Sequence, residues 1–184
     1  MSDPDFHLVQ RIAEGDKQAL AALYRAHERA VYKFIVSRLN DPHEASDILH
    51  EVFMDIWRVA ASFEGRSKVR TWIFGIAYRK VIDLHRKKGR VTVTDEVPET
   101  GEMADAADAE YAAKQEAGHL RACMETLSDD HRSAVSLAFF EDMSVAEIAS
   151  VSGVPEGTVK SRIHHAKKLL LHCLSGRMRG GVMA

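Results

Sequence analysis

Apolar residues recur every three to four positions along most of the chain, the period of amphipathic helices. Between 6 and 39 they are Phe6, Val9, Ile12 and Ala13, then Ala19, Leu20, Leu23, Val31, Phe34, Ile35 and Leu39. Gly15 marks a break, so this stretch predicts two helices. A third helix is predicted over 41–60, with Asp41 as N-cap, Pro42 at the first helical position and Glu44 placed to complete a capping box. Its buried side is Ile48, Leu49, Val52, Phe53, Ile56 and Trp57; Asp47, His50, Glu51, Met54, Asp55 and Arg58 form the other. The stretch "SFEGRSKVR" (62–70) breaks at Gly65 and reads as a basic loop. A fourth helix follows in "TWIFGIAYRKVIDLHRKK" (71–88). At 100° per residue, Ile73, Phe74, Ala77, Val81 and Leu84 share one side, with Tyr78 at its edge. Trp72 falls on the opposite side with Arg79, Asp83 and Arg86, flanked by Lys80 and Lys87.

The apolar period lapses over 89–116, where Gly, Pro, Thr and acids accumulate, and resumes near Ala117. "VTVT" (91–94) is the one hint of strand alternation, and it suits extended linker equally well. The expectation is an all-α chain of two small helical domains, 1–90 and 117–175, joined by an acidic flexible linker (91–116) that regains helix near its end. A disordered tail is expected over 176–184. Within the second domain, Ser144 and Glu147 form an N-cap and capping-box pair, Gly153 supplies a turn and Pro155 opens another helix. That helix buries Val159, Ile163, Ala166 and Leu170, and it turns Lys160, Ser161, His164, His165 and Lys168 outward. Two short helices around a Gly-containing turn are a helix-turn-helix, whose second helix can enter a DNA major groove. The other reading is an ordinary helical corner with a solvated basic face.

Composition adds little until it is resolved along the chain. The net charge of −2 hides segregation. Residues 66–90 carry nine Lys/Arg against one acid, 91–116 eight acids against one Lys, and 156–184 six Lys/Arg against one acid. Two basic patches about an acidic stretch suggest polyanionic partners. An exposed tryptophan among cations would make sense if its ring stacks on an unpaired base while the cations hold phosphates; the alternative is a cap on a small satellite cluster. No apolar run approaches the roughly 20 residues that span a bilayer, and "MSDPDFHLVQ" has no secretion signal, so no membrane insertion is expected. Cys123 and Cys173, without a CxxC, suit a reducing cytoplasm as buried thiols. His164 and His165 could be metal ligands with His172 or Cys173, but adjacent residues diverge by about 100° and no CxxC or HExxH supports them. No metal or other cofactor is expected.

Four blocks then carry a resemblance: "LAALYRAHERAVYKFI" (20–35), "DPHEASDILHEVFMDIWR" (41–58), "FEGRSKVRTWIFGIAYRKVIDLHRKK" (63–88) and "METLSDDHRSAVSLAFFEDMSVAEIASVSGVPEGTVKSRIHHAKKLL" (124–170). In this order and spacing they resemble bacterial extracytoplasmic-function (ECF) sigma factors, specificity subunits of RNA polymerase that often serve stress responses. The resemblance implies core RNA polymerase, promoter DNA and an anti-sigma factor as partners. Asp47, His50, Glu51, Met54 and Asp55 would press on the polymerase clamp helices, and the second domain would meet the flap. His50 stands where the family often has Gln. Phe63, Arg66, Ser67 and Lys68 would help form a pocket for a flipped −10 base. Trp72, Arg79, Lys80 and Asp83 would flank the single strand, with Arg86, Lys87 and Lys88 on phosphates. The linker would thread toward the active-site and RNA-exit channels. Lys160, Ser161, His164 and His165 would read −35 base edges, with Thr158 and Lys168 on phosphates. The family often has Arg at the second position of the His164–His165 pair. The resemblance implies a regulatory subunit without catalysis. A stand-alone helix-turn-helix regulator and, more remotely, a metal-dependent nucleic-acid enzyme are the rival readings.

Overall fold

The computed structural model describes residues 3–39, 41–89 and 108–180, and those residues form eight α-helices and no strand. The "VTVT" stretch, linker residues 90–107 and the last four residues of the expected tail lie outside the described residues. Helices α1 (Phe6–Ala13) and α2 (Lys17–Leu39) separate at Gly15 as expected. Helix α3 (Pro42–Val59) starts where Asp41 accepts hydrogen bonds from the His43 and Glu44 amides, at 2.9 and 3.2 Å. The Glu44 carboxylate accepts from Lys88 at 2.6 Å instead of turning back to complete a capping box. A 3₁₀ turn (Ala60–Ser62) and the basic loop lead into α4 (Val69–Gly89).

The second group comprises α5 (Asp108–Glu125), α6 (Asp129–Val135), α7 (Val145–Ser152) and α8 (Glu156–Gly180). A π turn, Ser136–Phe140, continues α6. Helix α8 runs on through Gly180, so residues 176–180 are helix where a disordered tail was expected.

The two helical groups share one core. Val31, Phe34, Ile35, Val52, Phe53 and Ile56 pack with Ile73, Phe74 and Ala77, and the same cluster takes in Leu137, Met143, Ile148, Val151 and Val159 from the second group. This is why α4 is buried all round between Ile73 and Tyr78. Helix α4 packs on α2, α3 and α7, and the off-stripe Ile76 is buried with the stripe. A second, smaller cluster of Met124, Leu127, Val135 and Ala166, with Leu120 and Leu170, joins α5 and α6 to α8. Beside it Cys123 and Cys173 form a disulfide with Cα atoms 5.8 Å apart. The expectation of two free buried thiols is therefore corrected.

Candidate nucleic-acid interface

The loop before α4 owes its shape to Gly65, whose φ of +70° lies in the left-handed region. A Cβ there would also come within 2.9 Å of the Phe6 ring. Phe6 in turn lies 6.0 Å from Phe63, and Phe63 lies 4.5 Å from Trp72 with the rings tilted by 30°. Asp3 reaches across from the N-terminus to accept from the Val69 amide at 2.7 Å, satisfying one of the orphan donors at the start of α4. Sequence reasoning missed this cap because it spans 66 positions. Trp72 is therefore half-buried against Phe63 and not a fully outward ring. One side of the indole is fixed by packing, a preorganised platform for a second flat ring.

From Trp72 the candidate residues climb α4 through Arg79, Lys80, Asp83, Arg86 and Lys87 to Lys88, a rise of about 24 Å at 1.5 Å per residue. Arg79, Asp83, Arg86, Lys87 and Lys88 are exposed and Lys80 is partly buried. Charge on this surface is largely matched from within. Arg66 pairs with Glu64, Lys68 with Glu147 at 2.8 Å and Arg86 with Asp83 at 3.9 Å. Lys80 lies 3.1 Å from Glu51 and 2.9 Å from Asp55. Burial pulls the Lys80 ammonium down, but its hydrogen bonds to Asp55 and Glu51 outweigh that and hold it above its ordinary value. Ser67 is half-buried, its hydroxyl 3.3 Å from the Lys68 carbonyl. The basic patch expected over 66–90 is thus paired with carboxylates, several of them from outside that stretch.

Those carboxylates include the polar face of α3. Asp47, His50, Glu51 and Met54 are exposed, Met54 by 50%, and Asp55 is partly buried between Lys80 and Arg58. An exposed methionine among acids suits a partner that brings both cations and apolar contact.

The second surface is the outer side of α8. Helix α7 carries the full Ser144–Glu147 capping box and ends at Gly153 in the left-handed conformation, φ 68°. That turn aims α8 so that Val159 and Ala166 are buried while Thr158, Lys160, Ser161, His164, His165 and Lys168 are all exposed. The His164 and His165 rings lie 5.8 Å apart, and His131 from α6 lies 6.3 Å from His165. His131 had no signal in spacing; only the packing of α6 on α8 places it there. Cys173 is bonded to Cys123 and so is not available to join His164 and His165 in a metal site. Among the described residues no three His, Cys, Asp or Glu side chains converge on a point that could hold a metal ion. Nor is any described helix long and apolar enough to cross a membrane.

Glu147 ties the surfaces together. The Lys68 ammonium and the Ser144 cap hold its carboxyl down to about 2, against the burial that would raise it. A folded-state value below the unfolded one stabilises the fold fully above the unfolded value near 4.5, and that contribution is lost as pH falls from there toward 2. Acid titration followed by circular dichroism should show the wild type losing stability over that window, and Glu147→Gln should flatten the slope there. An identical slope in the variant would show that Glu147 does not couple to folding.

Comparison with known proteins places these surfaces in context. Residues 23–91 match Sigma-70 region 2, and residues 118–170 match Sigma-70 region 4. The chain is 30% identical to the RNA polymerase sigma-H factor of Pseudomonas aeruginosa over 96% of its own length and 97% of that protein. It is 27% identical to the ECF RNA polymerase sigma factor SigW of Bacillus subtilis, covering 88% of this chain and 92% of the other. Its fold matches the sigma factor RpoE solved with the anti-sigma factor NepR from Bartonella quintana, with a TM-score of 0.68 at 23% identity over 84% of this chain and 96% of that one.

Proposed function

The chain belongs to the extracytoplasmic-function sigma factors of the sigma-70 family, and from that membership we propose how its surfaces divide the work of promoter recognition. It is an alternative sigma factor: it binds core RNA polymerase and directs transcription initiation, subject to an anti-sigma factor. The 1–90 domain meets the polymerase clamp through Asp47, His50, Glu51, Met54 and Asp55, whose carboxylates suit a basic partner. The same domain opens the −10 element, with Phe63, Arg66, Ser67 and Lys68 around a flipped base and Trp72 stacked on the next. Arg79, Lys80 and Asp83 flank the strand, and Arg86, Lys87 and Lys88 take phosphates. The 117–175 domain reads −35 duplex with Lys160, Ser161, His164 and His165, held in register by Thr158 and Lys168.

The observation that carries the −10 assignment is the Phe63–Trp72 pair at the mouth of the loop. Unstacking a base takes a few kcal/mol, and aromatic stacking returns about 1–3 kcal/mol per base. A platform rigid before DNA arrives loses little of that to ordering. No residue of the chain acts on a covalent bond; the polymerase supplies the chemistry, and the protein works in the cytoplasm beside it. Transcription by core polymerase on a library of −35/−10 sequences tests the whole assignment: initiation dependent on the chain and on both elements is expected, and failure to associate with core polymerase would overturn it.

The imidazole pair gives a sharper expectation. Arg grips guanine O6 and N7 with two bonds, whereas neutral His offers a single donor. Holoenzyme carrying His165→Arg should gain preference for guanine at one −35 base pair, worth about 1–3 kcal/mol. Band-shift competition between promoter variants measures it, and unchanged specificity would remove His165 from the reading surface.

A further inference from the structure

We propose that Asp3 is a positioning residue for the −10 loop. It touches no DNA; it acts by capping α4 where the loop ends, with Phe6 seated behind the loop as its backing. The inference rests on the −10 assignment of residues 63–68 and Trp72 and deepens it by naming what holds them in place.

Helix α4 starts without a local cap. The residue before it is Lys68, whose side chain offers no acceptor, and the neighbouring Ser67 hydroxyl is spent on the Lys68 carbonyl at 3.3 Å. The first amides of a helix lack intrahelical partners, and here the Val69 amide donates to Asp3 Oδ2 at 2.7 Å. Asp3 also sets a negative charge at the positive end of the helix that carries Trp72. Its other oxygen, Oδ1, accepts from the Asp5 amide at 2.9 Å, and its carbonyl accepts from the Phe6 amide at 3.1 Å. One carboxylate thus joins the start of α1 to the start of α4.

The segment that carries Asp3 is itself anchored. Asp5 stands at the N-cap position of α1 but makes no side-chain cap there. Its Oδ2 lies 2.8 Å from Nε2 of His27, which α2 holds at 8% exposure. Both acids are therefore engaged across the fold instead of in the local capping their type favours. Phe6 lies against Gly65, where a Cβ would come within 2.9 Å of its ring. It also begins a run of rings, Phe6 to Phe63 to Trp72, with centroids 6.0 and 4.5 Å apart. Helix α1 packs on the Ala60–Ser62 turn that leads into the loop. The loop is gripped at its entry by α1, at its glycine by Phe6 and at its exit by Asp3. A loop fixed before DNA arrives need not be ordered when a base flips, so more of the stacking energy goes into opening the strands.

The test compares Asp3→Ala with Asp3→Asn. Asn caps helices about as well as Asp, whereas Ala offers no acceptor. In the free chain, hydrogen exchange at the Val69 amide should quicken in Asp3→Ala and stay near wild type in Asp3→Asn. In holoenzyme, permanganate reactivity of the −10 thymines should show opening reduced about 2- to 30-fold by Asp3→Ala, the value of a lost helix cap as an equilibrium factor. Asp3→Asn should restore it, and closed-complex affinity, set by the −35 duplex, should be equal in both. A role in fold stability alone would lower closed-complex affinity together with opening, and that result overturns the proposal. So does a Val69 amide or an opened fraction that ignores Asp3→Ala, or a failure of Asp3→Asn to restore opening. Trp72→Ala holoenzyme separates the two levels. Opening lost with Trp72→Ala but kept with Asp3→Ala removes the positioning role alone; opening kept in both removes the −10 assignment and the positioning role with it.

Discussion

Trp72→Ala will reduce open-complex formation by about 5- to 150-fold while leaving −35 duplex binding by holoenzyme intact. The range is one base's stacking energy, about 1–3 kcal/mol, expressed as an equilibrium factor. Permanganate reactivity of unpaired thymines in the −10 region reads the melted fraction directly. Because Trp72 is half-buried on Phe63, its truncation also removes packing from the loop. Trp72→Phe separates the two effects: a smaller aromatic keeps a stacking face, so melting should return most of the way. Polymerase association should not change in either variant, since neither alters a charge of α3. Melting left untouched by the alanine variant would remove the stacking platform from the mechanism.

That platform was half legible. The 100° wheel placed Trp72 away from the core stripe, correctly predicting that Ile73, Phe74, Ala77 and Val81 would be buried. It could not see Phe63, nine positions earlier and across a glycine turn, which covers the other side of the ring. Local chemistry was the most readable level. Asp41 with Pro42, Ser144 with Glu147, and Gly153 each act within a few residues, so their signals sit in adjacent letters. The same locality explains the Glu44 error, since a residue in the right place for a capping box was drawn off by Lys88, 44 positions away.

The meeting of the two helical groups was the least readable feature. Ile76 lies outside the α4 stripe yet is only 6% exposed. Apolar residues off the stripe, Ile76 and Ile82, are the kind of trace a second packing partner leaves in a sequence. Arg38, Glu141 and Arg132 are charged residues that the fold buries, and nothing in the apolar period singles them out. The candidate cations were found by residue type and spacing, but their carboxylate partners come from elsewhere in the chain. Pattern therefore marked the candidate cations but not the carboxylates that the fold pairs with them.

Reducing the Cys123–Cys173 bond will lower stability by about 4 kcal/mol, on the chain-entropy estimate for a closed loop of this length. The 50-residue separation sets that value, which is comparable to burying about two leucine side chains at 1.5–3 kcal/mol each. The comparison matters because the apolar cluster beside the bond is small: Met124, Leu127, Val135 and Ala166, edged by Leu120 and Leu170. Toward its end α8 loses its cover, with Leu169 and Leu171 49% and 69% exposed. The bond thus carries a large share of what holds α5 against α8. For a chain of this size each kcal/mol moves the midpoint by about 2–4 °C, so thermal unfolding with reductant should begin roughly 10 °C lower. Cys173→Ser should unfold at that lower midpoint and ignore the reductant. In a reducing cytoplasm the thiols would be held open, and α5 would then depend on the small cluster alone. Equal midpoints for oxidised, reduced and Cys173→Ser protein would mean that packing, not the bond, fixes α5 to α8.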